Sequence, residues 1–211
     1  MAVPAEVRRR LRELGTRRTY QPGEVVILQA EPSAGLFVVE DGLIKISTLS
    51  AGGREQVLRF VPAGASFNEV AALDGGPNPA TAIALERTEL LRVPRDAFIA
   101  VIAETPGLAE TMVQALAGRL RHLVELVEDL SFRHVSERVA RILLQSVTPH
   151  AGVGAGADLN RRVTQRELAE MAGTSREVVA RALKALEATG AIAIDHGEIT
   201  LVAPSKLGAT A

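Results

Sequence analysis

The sequence predicts an α+β chain in three parts: an antiparallel β-roll or jelly roll, one long helix, and a C-terminal winged helix-turn-helix. Three observations predict it. Short β-branched runs separated by Gly or Pro turns fill residues 18–94. From Pro106 the pattern changes to a long helix with a regular apolar stripe. Between Thr164 and Ile192, two short helical segments meet at a glycine. The expected boundaries are 1–105, 106–133 and 134–211.

Residues 4–15, "PAEVRRRLRELG", read as a short amphipathic helix, with Pro4 near its start and Gly15 at its end. The runs "EVVIL", "LFVVE", "LIKIS", "QVLRFV", "TAIAL" and "ELLRV" then follow. Between them stand Pro22-Gly23, Gly35, Asp41-Gly42, Gly52-Gly53, Pro62 with Gly64, and Gly75-Gly76-Pro77. Many short strands at such spacing make a roll or jelly roll. A β-sandwich without a ligand fits the same pattern.

In the long helix, Leu116, Leu120, Leu123, Val127 and Leu130 form an a/d seam over two heptads, which implies pairing with a second copy. A helix packed on its own sheet is the other reading. Val124 and Leu126 widen the apolar surface, so the helix can do both. A further helix over Val135–Val147 precedes a Gly/Ala-rich loop, Thr148–Asn160. At the C-terminal end, "AIAI" and "EITLV" flank Asp195-His196-Gly197, a hairpin pattern.

The helix pair carries the clearest local chemistry. Thr164 and Glu167 have capping-box spacing and open "QRELAEMA", which Gly173 stops. Thr174 and Glu177 offer a second box, with Ser175 an alternative cap. Two short helices across such a turn, followed by a hairpin, make a winged helix-turn-helix. At 100° per residue, Arg176, Glu177, Ala180, Arg181 and Lys184 share one face of the second helix. Val178, Val179, Ala182, Leu183 and Leu186 share the opposite face. Arginine can donate two parallel hydrogen bonds to guanine, and glutamate can accept from cytosine. A solvated charged face, with Glu177 paired to Arg181, is the bland alternative.

Composition removes several chemistries. With no cysteine, disulfides, thiolate metal sites, Cys nucleophiles and iron–sulfur clusters are excluded. Aromatics at 3 per cent argue against base-stacking platforms for single strands. His122, His134, His150 and His196 lack ligand spacing, and no Ser/His/Asp set or Walker loop occurs. No catalytic residue, metal or cofactor is therefore expected. The basic N-terminus lacks an apolar signal segment, and the longest apolar run, Ala97–Ala103, is too short to span a bilayer. A cytoplasmic protein is expected. Residues 1–132 hold 14 basic and 17 acidic side chains, whereas 133–211 hold 10 and 8, so the C-terminal part is the one suited to DNA.

"TQRELAEMAGTSREVVARALKALEATGAI" resembles the winged helix-turn-helix of the Crp/Fnr superfamily, the cyclic AMP receptor protein-like regulators. "YQPGEVVILQ", "GLFVVEDGLIKIS", "FNEVAALDGG" and "LSFRHVSERVARILL" follow in the family's order. The resemblance implies a cyclic-nucleotide-binding-like β-roll, a dimerisation helix and a DNA-binding domain. It further implies a homodimeric, sequence-specific transcription regulator on a palindromic double-stranded operator with TGTGA-like half-sites, and RNA polymerase as a possible partner. Arg176, Glu177 and Arg181 match base-reading positions. Thr164, Gln165, Ser175 and Lys184 are the expected phosphate contacts.

The effector residues depart from that pattern. Glu69 is kept, but Asn68 stands where the family has Gly. The phosphate-gripping Arg-Ser pair falls on Pro79 and Ala80, and the adenine-contacting Thr-Ser pair on Leu123 and Val124. Independence from cyclic AMP is expected. The alternatives are a cyclic-nucleotide- or haem-responsive module, with His122 beside the seam as the haem candidate.

Overall fold

The computed structural model describes residues 5–147, 164–195 and 198–208. Pro4, the Thr148–Asn160 loop, His150, His196 and Gly197 lie outside the described residues. The chain divides into two compact units. One comprises residues up to Thr48 with Arg59–Leu120; the other comprises Leu49–Leu58 with the chain from Arg121 onward.

The first unit opens with helix α1, Ala5–Leu14, whose Val7 and Leu11 are buried one turn apart while most arginines face outward. Strands β1 (Thr16–Tyr20), β3 (Leu36–Asp41), β6 (Ser66–Phe67) and β8 (Thr88–Val93) form a sheet of order β1-β8-β3-β6. A second sheet has the order β2-β7-β4-β5, from Val25–Ile27, Thr81–Ala84, Leu43–Leu49 and Glu55–Pro62. The paired strands are antiparallel. Phe37 and Phe67 stack at 5.0 Å between centroids where β3 meets β6. Gly35 sits at φ 113°, and an added Cβ would strike the Val93 carbonyl, so only glycine fits there.

Several elements went unread in the sequence, β1 and α3 among them. β1 is "TRRTY", with four of its five residues exposed, so no apolar alternation marks it; pairing with β8 makes it a strand. The apolar run Ala97–Ala103 belongs to helix α3, Arg95–Glu104, which buries Phe98 and Val101. Between β6 and β7 lies the short helix α2, Glu69–Asp74.

Helix α4, Leu108–Phe132, is the long one. Its first turns bury Leu108 and Met112 against Val7, Leu11, Phe98 and Val101. Farther on, the apolar stripe stays open. Leu120 is 64 % exposed, Val127 62 %, and Leu123, Val124 and Leu130 are exposed too, while Leu116 is half-buried. The helix therefore packs on its own unit over its first turns and leaves its apolar stripe exposed farther on. No helix among the described residues is long and apolar enough to cross a membrane.

In the second unit, helices α5 (Val135–Val147), α6 (Gln165–Ala172) and α7 (Arg176–Ala188) close on one core of Val139, Leu143, Leu168, Val179, Leu183 and Leu186. Strands β9 (Ile192–Asp195) and β10 (Glu198–Leu201) pair antiparallel as the wing, and α8 (Pro204–Gly208) buries Leu207 in the same core. The tip of the β4–β5 hairpin belongs to this unit as well. Gln56 Nε2 donates to Met171 O, at the end of α6, at 3.1 Å.

Candidate nucleic-acid interface and effector site

The helix-turn-helix is fixed by its caps. Thr164 Oγ1 accepts from the Glu167 backbone N–H at 3.2 Å, and the Glu167 carboxylate accepts from the Thr164 N–H at 2.8 Å. That reciprocal box satisfies two otherwise orphaned donors. Gly173 takes φ 63° to end α6, and a side chain there would run into Gln56 and Leu130.

The second box does not form. Ser175, not Thr174, is the N-cap of α7, and its side chain makes no capping hydrogen bond. The helix therefore starts one residue later than the Thr174 spacing assumed. Its third position is Val178, which has no oxygen to return to the cap. The Ser175 hydroxyl and the Glu177 backbone N–H stand close enough to stabilise the Glu177 carboxylate. Those donors, with the charges of Arg176 and Arg181, hold its carboxyl below the ordinary range.

One face of α7 is left open. Arg176, Glu177, Arg181 and Lys184 are exposed, while Val179, Ala182, Leu183 and Leu186 are buried, as the helical wheel requires. Glu177 feels the charges of Arg176 and Arg181, the interaction that the solvated-face alternative assumed. Ser175 and Thr164 are exposed at the two caps, and Gln165 is half-buried at the first position of α6.

The other predicted site sits in the first unit, where Glu69 begins α2 and is 4 % exposed. Its carboxylate is not isolated there. Arg119 of α4 binds it with both terminal nitrogens, the Ser66 hydroxyl donates to it at 2.5 Å, and Arg59 Nη2 stands 3.6 Å away. Burial pushes the Glu69 carboxyl up. The hydrogen bonds and charge of Arg119, the charge of Arg59 and the Ser66 hydroxyl together outweigh it and hold the group below its ordinary value. Sequence reading missed Arg59, Ser66 and Arg119, because three separate elements bring them to Glu69.

Asn68 occupies φ 65°, a left-handed conformation that glycine takes freely and asparagine tolerates. Its amide donates to Ser33 Oγ, Gly35 O and Asn78 Oδ1 at 3.2, 3.0 and 3.0 Å. Asn68 thus keeps the backbone turn and fills the position with its own bonds. Pro79 is exposed and Ala80 buried, and neither side chain carries a polar atom. Leu123 and Val124 are exposed on α4. His122 Nε2 lies 3.4 Å from Leu58 O. Among the described residues, no three metal-ligating side chains cluster.

A cyclic nucleotide-binding domain family matches residues 17–105, and a Crp-like helix-turn-helix domain family matches residues 137–210. The cyclic AMP receptor protein of Thermus thermophilus is 34 % identical over 183 residues, which cover 87 % of this chain and 82 % of that protein. The chain belongs to the Crp/Fnr superfamily of transcription regulators. Its members bind DNA through the helix-turn-helix and typically dimerise. Among solved structures, the Thermus thermophilus catabolite activator protein is 32 % identical at a TM-score of 0.55, covering 98 % of this chain and 93 % of that one. The c-di-GMP responsive regulator CLP of Xanthomonas campestris shares the fold at a TM-score of 0.78 and 24 % identity, covering 93 % of this chain and 98 % of that one. Within this Crp/Fnr chain, α7 is the second helix of the helix-turn-helix, and Glu69 lies in the cyclic nucleotide-binding domain match.

Proposed function

We propose that this regulator acts as a homodimer, reads a palindromic operator, and binds DNA without needing cyclic AMP. The open, charged face of α7 carries the reading of DNA. Arg176 and Arg181 each take a guanine, Glu177 takes a cytosine on the other strand, and Thr164, Gln165, Ser175 and Lys184 hold phosphates. Half-sites resembling TGTGA are what the family resemblance implies, with centres roughly 34 Å apart. In a binding-site selection the wild type should return that two-fold motif. Arg181→Ala should lose about 1–3 kcal/mol and relax preference at one base pair per half-site. An asymmetric motif, or a variant that weakens all sequences equally, would remove Arg181 from the base-reading set.

Nucleotide independence rests on the effector residues. A cyclic phosphate needs a charged, bidentate partner when buried. Pro79 has neither charge nor backbone N–H. Glu69, which would meet a ribose hydroxyl, is already held by Arg119 and Ser66. Each charged hydrogen bond lost removes about 1.5–3 kcal/mol, so a micromolar affinity falls to millimolar or weaker. The names of the relatives favour the competing reading, a receptor switched by cyclic AMP. Calorimetry with cyclic AMP and cyclic GMP, beside DNA binding with and without each, separates the two. Saturation below about 10 μM, coupled to tighter DNA binding, would refute independence.

A further inference from the structure

The hairpin between β4 and β5 turns through Ala51, Gly52, Gly53 and Arg54, all of them exposed. Backbone and hydroxyl close the turn: the Gly53 N–H donates to Ser50 O at 2.9 Å, and the Arg54 N–H donates to Ser50 Oγ at 3.0 Å. The Arg54 guanidinium takes no part in that closure and forms no hydrogen bond or ion pair among the described residues. It offers five donors and a permanent charge. Arg54 O also accepts from the Ser50 N–H at 2.9 Å, so the residue already lies in the extended arm of the hairpin. Residues two apart in such an arm face the same side. Gln56 faces the end of α6, where it donates to Met171 O, so Arg54 is turned toward the helix pair as well.

A cleft of about 330 Å³ within the second unit shows what it meets there. Gly53 and Arg54 stand on one side, and the facing wall includes Arg166 and Glu170 of α6 with Ser175 and Arg176 at the start of α7. Three arginines and two glutamates line the cleft, so its net charge is +1. Glu170 is bonded to Arg166 at 2.9 Å, and Arg166 feels Glu55 too. The carboxylates are thus engaged around Arg166, and Arg54 keeps its charge for a partner outside the chain. The tip is bare enough for that partner to come close, since a Cβ added at Gly53 would meet nothing within 4 Å.

We propose that Arg54 is a further DNA contact, holding a backbone phosphate of the strand that passes the start of α7. An exposed arginine without a fixed partner supplies charge and no base readout, which suits a phosphodiester. The inference rests on reading α7 as the DNA-contacting helix. It makes the hairpin tip part of the operator interface and gives it a sequence-independent share of the affinity.

The test uses the full chain as wild type, Arg54→Gln, Arg54→Lys and Arg181→Ala. Each is titrated on a duplex with two TGTGA-like half-sites and on a scrambled duplex of equal length, between about 50 and about 200 mM salt. Every phosphate neutralised contributes about −0.9 to the slope of log affinity on log salt, and a dimer carries two copies of Arg54. Arg54→Gln should therefore make the slope shallower by about 1.8 and weaken both duplexes by the same factor, about ten-fold near physiological salt. Arg54→Lys, which keeps the charge, should keep most of the slope. An unchanged slope in Arg54→Gln overturns the proposal; that is the result if Arg54 serves an acidic protein surface instead of DNA. So does a lysine variant as shallow as the glutamine one, or a loss confined to the operator duplex. Melting temperatures of both variants should match wild type, and a drop of several degrees would make Arg54 a structural residue and overturn the proposal too. Arg181→Ala reports on the helix separately, by lowering the ratio of operator to scrambled binding. If that ratio holds, the reading of α7 falls, while Arg54 is still judged by the slope alone.

Discussion

Leu120→Glu combined with Val127→Glu is expected to turn the protein into monomers. Both positions lie on the stripe of α4 that the chain leaves open, at 64 % and 62 % exposure. Most of each side chain is left uncovered by the described residues, so the substitutions should leave the monomer's fold intact. Across a two-fold interface each position is used twice, and four carboxylates would enter one apolar seam. Unpaired buried charge there costs several kcal/mol, enough to abolish association at micromolar concentration. Light scattering reads the mass, and circular dichroism confirms retained helix. Operator binding should fall with dimerisation, because one subunit reaches only one half-site. A double variant that remains dimeric would place the interface elsewhere.

Arg119→Ala should be the most destabilising single change in the first unit. It strips Glu69 of its two closest donors and leaves a buried carboxylate with Ser66 and a distant Arg59. Breaking a buried pair in this way costs about 3–5 kcal/mol. The pH dependence follows from the direction of the Glu69 shift. In the wild type the carboxyl is held below its ordinary value of 4.5. Its contribution is therefore complete above that value and is lost as pH falls through the lower folded value. In the variant burial dominates, the carboxyl rises, and protonation relieves the strain as pH falls toward 4.5. The stability gap between the two proteins should narrow from pH 7.5 to pH 5. Denaturant unfolding at both values measures it; a gap that stays constant or widens would show that Arg119 does not neutralise Glu69.

What could be read from the sequence was local. Helix α1, six strands of the roll and α7 announce themselves by their apolar residues, β3 and β4 because consecutive residues on both faces are buried. The face of α7 was also legible, since Arg176, Glu177, Arg181 and Lys184 need only helical periodicity to line up. β1 was not, because its residues are mostly polar and its identity as a strand comes from pairing with β8. The Thr174 capping box failed by one residue, where two adjacent hydroxyls compete and local spacing cannot choose between them. The ion cluster was farthest from view. Residues 59, 66, 69 and 119 meet only after a strand, a short strand, a short helix and a long helix are folded.

Gln56 has a consequence for dissecting this protein. Its amide closes a carbonyl at the end of α6 from more than a hundred residues upstream, and Gly173 is kept bare beside it. The DNA-reading unit is therefore not a contiguous stretch of chain. A graft that moves only residues 134–211 onto another sensor would leave behind the hairpin tip that belongs to this unit. The recipient would have to supply a hairpin of matching length with an amide at its tip. Modularity here follows the packing and not the order of the genetic text, so a functional chimaera is expected to need crossover points in β4 and β5 as well as one in α4.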